Sequence, residues 1–424
     1  MKHIFLLAVF SFIIGGRCWA ISIHDLLDAA EQQPNNDISE LAVQESALQK
    51  ERSMVNLFPK IGLFGRFESY NSPTNLRPMT PTEVNVQAGN SIPFSREILR
   101  YGLSFDAPVY IHELYVLNRK TGLLHQKAQI DRQLDLLGRQ AAVVSLNSAF
   151  TYFWGLEKSI DARQKSLNKT LEDIALKVKV GRSSESDLLK IQKTLNELNQ
   201  QRNELAVKRL DTLREIYTLT GIELTEPVPM ILEQKPEGTS YLPVTAAQYN
   251  ADAAQTEIER RKATRYPTLS LTGFLSGNEG NAYNTDSHID RSYNEIAIVL
   301  KVPLFDRSLD VDKTIAGIQA QKAQKQLAQT WIDMAALADA LEKKIPIIEK
   351  SADIARKSIS DSQTLLAVAQ VSVRSGRMTL EDYLRYESDV LSAQAVLYQT
   401  LQQLWQSVSQ QAVLYGTNLK GVVK

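Results

Sequence analysis

The sequence predicts a mainly α-helical protein with a smaller β portion, and three observations indicate this fold class. The chain contains an internal repeat, because Pro108 and Pro303, like Asp187 and Asp382, are separated by the same 195 residues. Two stretches of roughly 70 residues contain few helix breakers, so each is far longer than an ordinary globular helix. Four short segments alternate apolar and polar residues, as half-buried strands do. Two copies of one unit are therefore expected to build the fold together.

The repeat defines the predicted organisation of the chain. Residues 1–20 are a signal peptide, 21–221 the first copy, 222–243 a linker and 244–424 the second copy. The linker is rich in proline, which excludes a long helix or a central strand. Each copy opens with a helix, followed by two strands, a long helix, a tip turn and a return helix. In the first copy these are strands 58–69 and 99–108, long helix 112–180, tip turn 181–187 and return helix 188–220. In the second copy they are strands 266–276 and 293–303, long helix 306–374, tip turn 375–382 and return helix 383–415.

The signal peptide is predicted from the first twenty residues. Lys2 precedes an apolar run that ends at Ile14, and small residues stand where a signal peptidase cleaves, after Ala20. The run is about 11 residues long, which is too short for a membrane anchor that must cross roughly 30 Å. Cys18, the only cysteine, is an alternative lipidation site, but Arg17 disturbs the small-residue environment that lipidation needs. The mature chain is expected to lack cysteine, which excludes disulfides and cysteine nucleophiles.

Composition excludes several classes of function. Lys and Arg total 48, as do Asp and Glu, so no basic excess indicates nucleic-acid binding. The five histidines are scattered without metal-ligand spacing, and no phosphate-binding loop or Gly-x-Ser-x-Gly motif is present. The sequence therefore predicts a protein that is not an enzyme and that uses no cofactor or metal ion.

Each predicted strand has one apolar and one polar face. The connecting segments 69–97 and 276–291 show no periodicity and are rich in small polar residues, so they are predicted as long hydrophilic hairpin loops. The apolar residues predicted to face lipid are Leu103, Phe105, Ile296, Ile298 and Leu300. The charged residues predicted to line water on the opposite face include Arg100, Asp106, Glu295 and Lys301.

The long helices need partners along their length, and the return helices supply them. A strict seven-residue repeat of apolar residues predicts a left-handed coiled coil with knobs-into-holes packing. In the second copy this repeat consists of Leu384, Leu391, Tyr398, Trp405 and Ala412. The first copy has a weaker apolar stripe, formed by Ile191, Leu195, Leu198 and Leu205.

The turn between the long helix and the return helix recurs in both copies. Gly181 and Gly376 suit the left-handed end of a helix, and the polar residues that follow suit the start of the next one. A plain turn does not explain why, counted from the glycine, Arg at the second place, Asp at the seventh and Leu at the ninth also recur. The recurrence favours a contact role for these turns, because functional residues collect on turns.

The strands require more than one chain. Four strands cannot close a membrane barrel, since the smallest closed barrels have about eight strands. Open edges in a bilayer leave backbone groups without hydrogen bonds, at a cost of several kcal/mol each. The chain is therefore expected to oligomerise. Three copies, a trimer, would give a twelve-stranded β-barrel continued by a long coiled-coil α-helical barrel, and the polar strand faces would then line a water-filled conduit.

The sequence resembles the TolC-like outer-membrane efflux proteins of Gram-negative bacteria, also called outer membrane factors. The resemblance covers nearly the whole mature chain and rests on residues 21–27, on the Pro residues at positions 59, 108, 267 and 303, and on the Gly-x-x-x-x-x-Asp-x-Leu turn of both copies. It implies a homotrimer in outer-membrane lipid that extends into the periplasm. Its helical tips are implied to dock onto a periplasmic adaptor, or membrane fusion protein, that connects to an inner-membrane pump. The implied function is the exit duct of a tripartite efflux or type I secretion system.

By this resemblance, the turns are the sites of adaptor docking and of pore closure. Asp382 falls where many family members carry an acidic pore-closing residue, but Arg385 stands where a further acidic residue is found in the family. Asp382 and Arg385 are thus predicted to close the pore by pairing between neighbouring chains. The implied docking residues are Gly181, Arg182, Asp187, Leu188 and Leu189 in the first copy and Gly376, Arg377, Asp382, Tyr383 and Leu384 in the second.

A second interpretation is a non-conducting periplasmic coiled-coil scaffold, in which the strands form a small solvent-exposed sheet. It explains the helices and the turns, but it leaves the apolar strand faces with nothing in the chain wide enough to cover them. Drug efflux, metal efflux and protein secretion remain open as the transport role, and no His or Met cluster in the sequence supports metal.

Overall fold

The computed structural model describes residues 21–79 and 90–424. The predicted signal peptide, with Cys18 and the cleavage after Ala20, lies outside the described residues, as do residues 80–89 of the first hairpin loop. Within the described ranges, long helices accompany a four-stranded antiparallel sheet, so the predicted fold class is confirmed at the level of one chain.

Helices make up most of the described chain, and the two longest contain 68 residues each. Both long helices lie within one residue of their predicted bounds, and the second continues through Pro346. In chain order the helices are α1 (Ile23–Glu31), α2 (Pro34–Val55), α3 (His112–Lys179), α4 (Glu185–Thr220), α5 (Leu242–Ala263), α6 (Arg307–Arg374) and α7 (Leu380–Tyr415), followed by a 3-10 turn at Leu419–Gly421.

The four strands are β1 (Lys60–Asn75), β2 (Phe94–Tyr110), β3 (Thr268–Asn281) and β4 (His288–Lys301). They lie in the order β1-β2-β3-β4, and all neighbours are antiparallel. The middle pairing, between β2 and β3, joins one sequence copy to the other. Each copy therefore supplies one hairpin of a shared sheet.

The strands extend further than predicted, so the prediction of long loops over 69–97 and 276–291 is wrong in part. Gly277 pairs with Ser292 inside the predicted second loop, and β1 continues to Asn75 after an irregularity in the pairing. The sequence did not indicate these strand ends because polar residues occupy both faces there. Alternation marks a strand only where one of its faces is apolar.

The described chain forms two compact units, and each takes residues from both sequence copies. Of the described residues, the first unit comprises 21–36, Leu136–Thr239 and Ala338–Lys424, and the second comprises 37–79, 90–135 and Ser240–Leu337. The turns between long and return helices belong to the first unit, whereas the sheet belongs to the second. Neither copy forms a compact unit by itself, as expected of repeats that share a core.

The first unit has an apolar core around α1. Leu26 and Leu27 are completely buried and belong to one cluster with Val143 and Phe150 of α3. The Ser22 hydroxyl and the Asp25 carboxylate form a capping box that sets the start of α1. The linker is held in this unit by side-chain and backbone contacts: the Asn147 side chain donates to the carbonyl oxygen of Val228 at 2.7 Å and accepts from its N–H at 3.0 Å. The fully buried Asn147 side chain thereby satisfies the backbone N–H and carbonyl group of Val228, which lies in a segment without helix or strand hydrogen bonds.

The predicted coiled-coil stripes meet in a second cluster of the first unit. α3 contributes Ile160, Leu167 and Ile174, which are spaced seven residues apart. Leu384 and Leu391, two of the heptad positions predicted in α7, pack against this cluster. The predicted stripe of α4 also takes part through Ile191, Leu195, Leu198 and Leu205.

In the second unit, a cluster of ion pairs around Glu257 joins three helices. Glu257 of α5 is 8% exposed, and its carboxylate accepts hydrogen bonds from Lys120 of α3 at 3.0 Å and from Arg260 at 2.7 Å. Arg261 links the same carboxylate, at 2.8 Å, to Asp312 of α6, also at 2.8 Å. Burial acts to raise the pKa of Glu257, but the hydrogen bonds from Arg260 and Lys120 outweigh it and lower the pKa to about 2.

Glu257→Gln is expected to reduce the free energy of unfolding by about 2 kcal/mol, because it removes the carboxylate charge that three partly buried cations share. Arg260 and Arg261 keep their second partners, Glu113 and Asp312. The folded-state pKa lies below the ordinary value of 4.5, so the stabilisation is fully present above pH 4.5 and is lost as the pH falls toward about 2. Thermal unfolding of the purified protein, measured from neutral pH downward, reports both effects.

Glu259→Gln is the matched control for this prediction. Glu259 lies on the same helix, is far more exposed, and pairs with Arg119 at the surface. Such exposed pairs contribute between about 0 and 1 kcal/mol. Equal losses of stability in the two variants would contradict the prediction that the ion pairs of Glu257 contribute more to stability than the surface pair of Glu259.

Candidate functional sites at the helical turns and the sheet

The first turn, residues 180–184, connects α3 to α4. Gly181 has φ 75°, a left-handed conformation that favours glycine, and the N–H of Arg182 bonds to the carbonyl oxygen of Lys177 at 2.7 Å. Ser184 caps α4: its hydroxyl accepts from the N–H of Asp187, and the Asp187 carboxylate accepts from the N–H of Ser184. Hydrogen bonds from the side chains of Ser184 and Ser183 lower the pKa of Asp187. The turn thus ends earlier than the predicted residue 187, and Asp187 belongs to the first turn of α4.

The second turn, residues 375–379, has the same construction between α6 and α7. Gly376 has φ 76°, and the N–H of Arg377 bonds to the carbonyl oxygen of Ser372 at 2.9 Å. Thr379 accepts from the N–H of Asp382 at 3.1 Å and donates its hydroxyl hydrogen to the Asp382 carboxylate at 2.7 Å. The helix therefore starts at Leu380 rather than after the predicted residue 382. Helix termination and capping account for the recurrence of Gly and Asp.

The residues predicted to dock an adaptor fall into two groups. Arg182, Leu189 and Arg377 are exposed beside the two glycines, and they are available for contact. Leu188 and Leu384 instead pack against the apolar cluster between α3 and α4. Tyr383 differs from the exposed residues, because its side chain is 3% exposed and its hydroxyl hydrogen-bonds the Glu387 carboxylate. It therefore presents little surface to a partner, and its docking role stays a prediction.

The predicted pore-closing residues lie within one chain at the start of α7. The guanidinium of Arg385 is 3.7 Å from the Asp382 carboxylate, and both side chains are substantially exposed. A second surface pair, Lys190 of α4 with Glu381 of α7, lies 3.3 Å apart beside the same turns. The carboxylates of Asp382 and Glu381 are therefore each paired with a cation of the same chain.

A buried polar cluster, which the sequence did not predict, lies behind the second turn. The Tyr383 hydroxyl donates to the Glu387 carboxylate at 2.5 Å, and Ser166 of α3 donates to the same oxygen. Glu387 is 3% exposed, and its second oxygen has no hydrogen-bond partner among the described residues. Burial raises the pKa of Tyr383, and burial lowers the pKa of Arg163, whose charge the nearby Glu387 supports. The sequence did hold a signal: Glu387 occupies the apolar stripe that runs through Leu380, Tyr383 and Leu391.

The sheet provides the second candidate site, because its register separates two chemically different faces. Ile61, Phe105 and Ile296 are joined through Gly273 in one row of paired residues. Phe105 is half-buried because its ring lies across Gly273. The other predicted apolar residues, Leu103, Ile296, Ile298 and Leu300, are exposed on this same face. The predicted polar residues Arg100, Asp106, Glu295 and Lys301 share the opposite face.

Two further findings bound what these sites can do. The parts of the chain that the structure describes contain no group of three or more His, Cys, Asp or Glu side chains placed to hold a metal ion. None of the helices in 21–79 and 90–424 combines the length and the apolar character that crossing a bilayer requires.

Comparison with solved structures identifies the fold. The outer membrane protein VceC of Vibrio cholerae superimposes with a TM-score of 0.78 at 14% identity, over 93% of this chain and 96% of VceC. The Campylobacter jejuni CmeC outer membrane channel gives 0.78 at 15% identity, over 93% and 85% of the two chains. The open state of the Neisseria gonorrhoeae MtrE outer membrane channel gives 0.72 at 15% identity, over 94% and 89%.

The chain therefore has the fold of outer membrane channel proteins, as the sequence resemblance predicted. No family model matches the chain. No curated protein matches it either. At identities of 14 to 15% the likeness is carried by backbone geometry rather than by shared residues.

Tyr383→Phe is expected to reduce the free energy of unfolding by about 1–3 kcal/mol, because it removes a donor from a buried carboxylate that already has one unpaired oxygen. Chemical denaturation of the purified protein measures the loss. Tyr386→Phe is the matched control, since Tyr386 lies on the same helix with its ring against the exposed Arg385. A loss no larger than that of the control would show that Glu387 does not depend on the Tyr383 hydroxyl.

Proposed function

We propose that this chain is one protomer of a trimeric outer-membrane channel, the exit duct of a tripartite efflux or type I secretion system. The observation that carries the proposal is the four-stranded sheet. Its apolar face is exposed, and its outer strands β1 and β4 each have one edge without a partner strand in the described chain. Transport without catalysis is part of this proposal.

Lipid is the environment that suits the exposed face. Ile298 is 74% exposed in the single chain, and Leu63 is 84% exposed on the same face. A strand needs about 9–11 residues to cross a bilayer at a tilt of about 45°. Each strand of the sheet has at least 14 residues, so each is long enough to cross with residues to spare.

Aromatic residues stand where the strands join the helices. Phe58 precedes β1, Tyr110 ends β2, Tyr266 precedes β3 and Phe305 follows β4, and all four side chains are exposed. Because the strands are antiparallel and consecutive, these four residues share one end of the sheet. Aromatic girdles of this kind mark the interface between lipid and water in membrane barrels. The four aromatic residues therefore support a proposed boundary between lipid and water at this end of the sheet.

A trimer supplies the partner strands that the edges of β1 and β4 lack in the single chain. Three copies provide twelve strands, and closure of the barrel gives every edge strand a partner. The first unit also exposes apolar residues of α6, among them Ile347, Ile354 and Val368. Exposed apolar residues at seven-residue steps along a helix suit packing against another helix, and a second copy of the chain is the partner that we propose for them.

The remaining parts of the proposal concern location and partners. We place the mature protein, after removal of the signal peptide at Ala20, in the outer membrane of a Gram-negative bacterium with its helices in the periplasm. The two turns dock onto an adaptor protein that connects to an inner-membrane pump, and the exposed residues Arg182, Leu189 and Arg377 are the proposed contacts. Asp382 and Arg385 are the proposed pore-closing residues.

Fractionation of the native bacterium tests the proposal against the scaffold alternative. The channel is expected in detergent extracts of the outer membrane as a trimer. The non-conducting scaffold would instead appear in the soluble periplasmic fraction. A single-chain species that remains stable in buffer without detergent would overturn the proposal.

Ile298→Arg is expected to reduce trimer assembly in the outer membrane, because an arginine on the lipid face costs about 2–4 kcal/mol near the bilayer midplane. The yield of detergent-extracted trimer measures the effect. Ala297→Arg is the matched control, since Ala297 is the neighbouring residue and lies on the polar face. Normal assembly of both variants would contradict the assignment of the apolar face to lipid.

Gly181→Leu and Gly376→Leu are expected to leave the trimer in the membrane and to weaken adaptor binding by about fivefold, equivalent to about 1 kcal/mol. Neither glycine has another atom within 4 Å of an added Cβ, so the leucine projects into the proposed docking surface. Cross-linking of the trimer to periplasmic partners in native cells measures the complex. Gly181→Ala and Gly376→Ala carry the same left-handed strain without the bulk. If the leucine variants cross-link as well as the alanine variants, the turns are not the docking site.

A further inference from the structure

One row of the polar sheet face is rich in arginine. Arg66 of β1 pairs with Arg100 of β2, Arg100 pairs with Asn278 of β3, and Asn278 pairs with Arg291 of β4. Three of the four side chains across the sheet are therefore cationic, and the fourth is a neutral amide. We call Arg66, Arg100 and Arg291 the arginine row.

Within the described residues, the contacts of the arginine row leave most of its charge uncompensated. The carboxylate that contacts it there is Glu68, at 2.9 Å from Nε of Arg66 and 2.9 Å from Nε of Arg100. Arg100 also donates to the carbonyl oxygen of Leu76 at 2.6 Å, and Arg291 donates to the carbonyl oxygen of Asp290 at 2.7 Å. These backbone oxygens carry no net charge. One carboxylate thus faces three guanidinium groups in each chain.

The other rows of the same face do not share this excess. Lys60 pairs directly with Asp106, so the charges of that row balance. Glu295 is a lone carboxylate that accepts from the Tyr293 hydroxyl, and Lys301 is a lone cation at the end of β4. The positive charge is therefore concentrated at the arginine row rather than spread over the face.

A cleft adjoins the arginine row on this face. Its lining combines the guanidinium groups of Arg66 and Arg100 with neutral hydroxyl and amide groups, and no carboxylate is among the described residues that line it. The cleft encloses about 440 Å³, which is in the usual range for sites that hold small molecules. The polar lining includes Ser104, Ser276, Asn278 and Tyr293.

Guanidinium groups recognise carboxylate and phosphate through paired hydrogen bonds, and a wall of one sign of charge raises the local concentration of counter-ions. Arg66 is well placed for this, since its side chain is 72% exposed although Nε holds Glu68. Arg291 is likewise exposed. We propose that the arginine row and its cleft bind small anions in the channel interior and make the channel prefer anions to cations. This inference rests on the proposed channel function.

The reversal potential of the purified trimer in a planar lipid bilayer tests the inference. Under a gradient of potassium chloride, its sign shows whether chloride or potassium is the more permeant ion. The wild-type channel is expected to favour chloride. Arg66→Gln/Arg291→Gln is expected to lower the chloride-to-potassium permeability ratio by roughly twofold or more, because it removes the two exposed charges of the row.

Two further variants complete the experiment. Lys60→Gln/Lys301→Gln removes the same charge from the other end of the same face, and it is expected to change the ratio less than the arginine variant does. Arg66→Lys keeps the charge and is expected to retain the wild-type ratio, and trimer yield reports whether each variant folds.

The outcomes separate the inference from the function on which it rests. A conducting channel that favours potassium, or whose ratio is the same in the arginine variant and in the wild type, would overturn the anion site and leave the channel standing. Equal changes in the arginine and lysine variants would also overturn it, because the row would then have no special role. A trimer that conducts neither as the wild type nor after removal of the proposed pore-closing pair, Asp382→Ala/Arg385→Ala, would overturn the proposed function itself.

Discussion

Backbone groups in a nonpolar surrounding must be hydrogen-bonded, and the rest of this structure depends on that requirement. β2 and β3 meet it with a partner on each side, but β1 and β4 each present an open edge in the described chain. The same strands carry the exposed apolar residues Leu63 and Ile298. An open edge and an apolar face have one common solution, which is a closed barrel of several copies in lipid. Both the proposed trimer and the proposed membrane location derive from this pair of features.

The turns illustrate how a repeated sequence pattern can have a local structural cause. The glycines end a long helix in the left-handed conformation, and Asp187 and Asp382 take part in caps with Ser184 and Thr379. These contacts would be needed in any pair of helices joined in this way. The recurring arginines at positions 182 and 377 are different, since the helix ends do not use their side chains. The two arginines therefore indicate a docking surface more strongly than the recurring glycines and aspartates do.

Prediction from sequence succeeded where one local signal dominated and failed where two chain segments had to be placed together. The long helices were predicted because they contain few helix breakers, although α6 runs through Pro346. Exposed apolar strand residues such as Ile298 were placed on one face because strict alternation marks a strand with one apolar face. The polar strand ends near Gly277 were missed because they lack that alternation. The inward position of Tyr383 was not predicted, because its place on the helix does not show that its hydroxyl contacts Ser166 and Glu387.

The sequence by itself determined the types of element, their repetition at a fixed spacing, and the separation of each strand into an apolar and a polar side. Only the tertiary structure decided that both copies contribute to each compact unit and that Tyr383 turns inward. It also decided that Arg66, Arg100 and Arg291 occupy one row. The physical reason is register: pairing by one residue more or less moves a side chain to another row and to the other face, and pairing between segments far apart in the chain is not encoded in local periodicity.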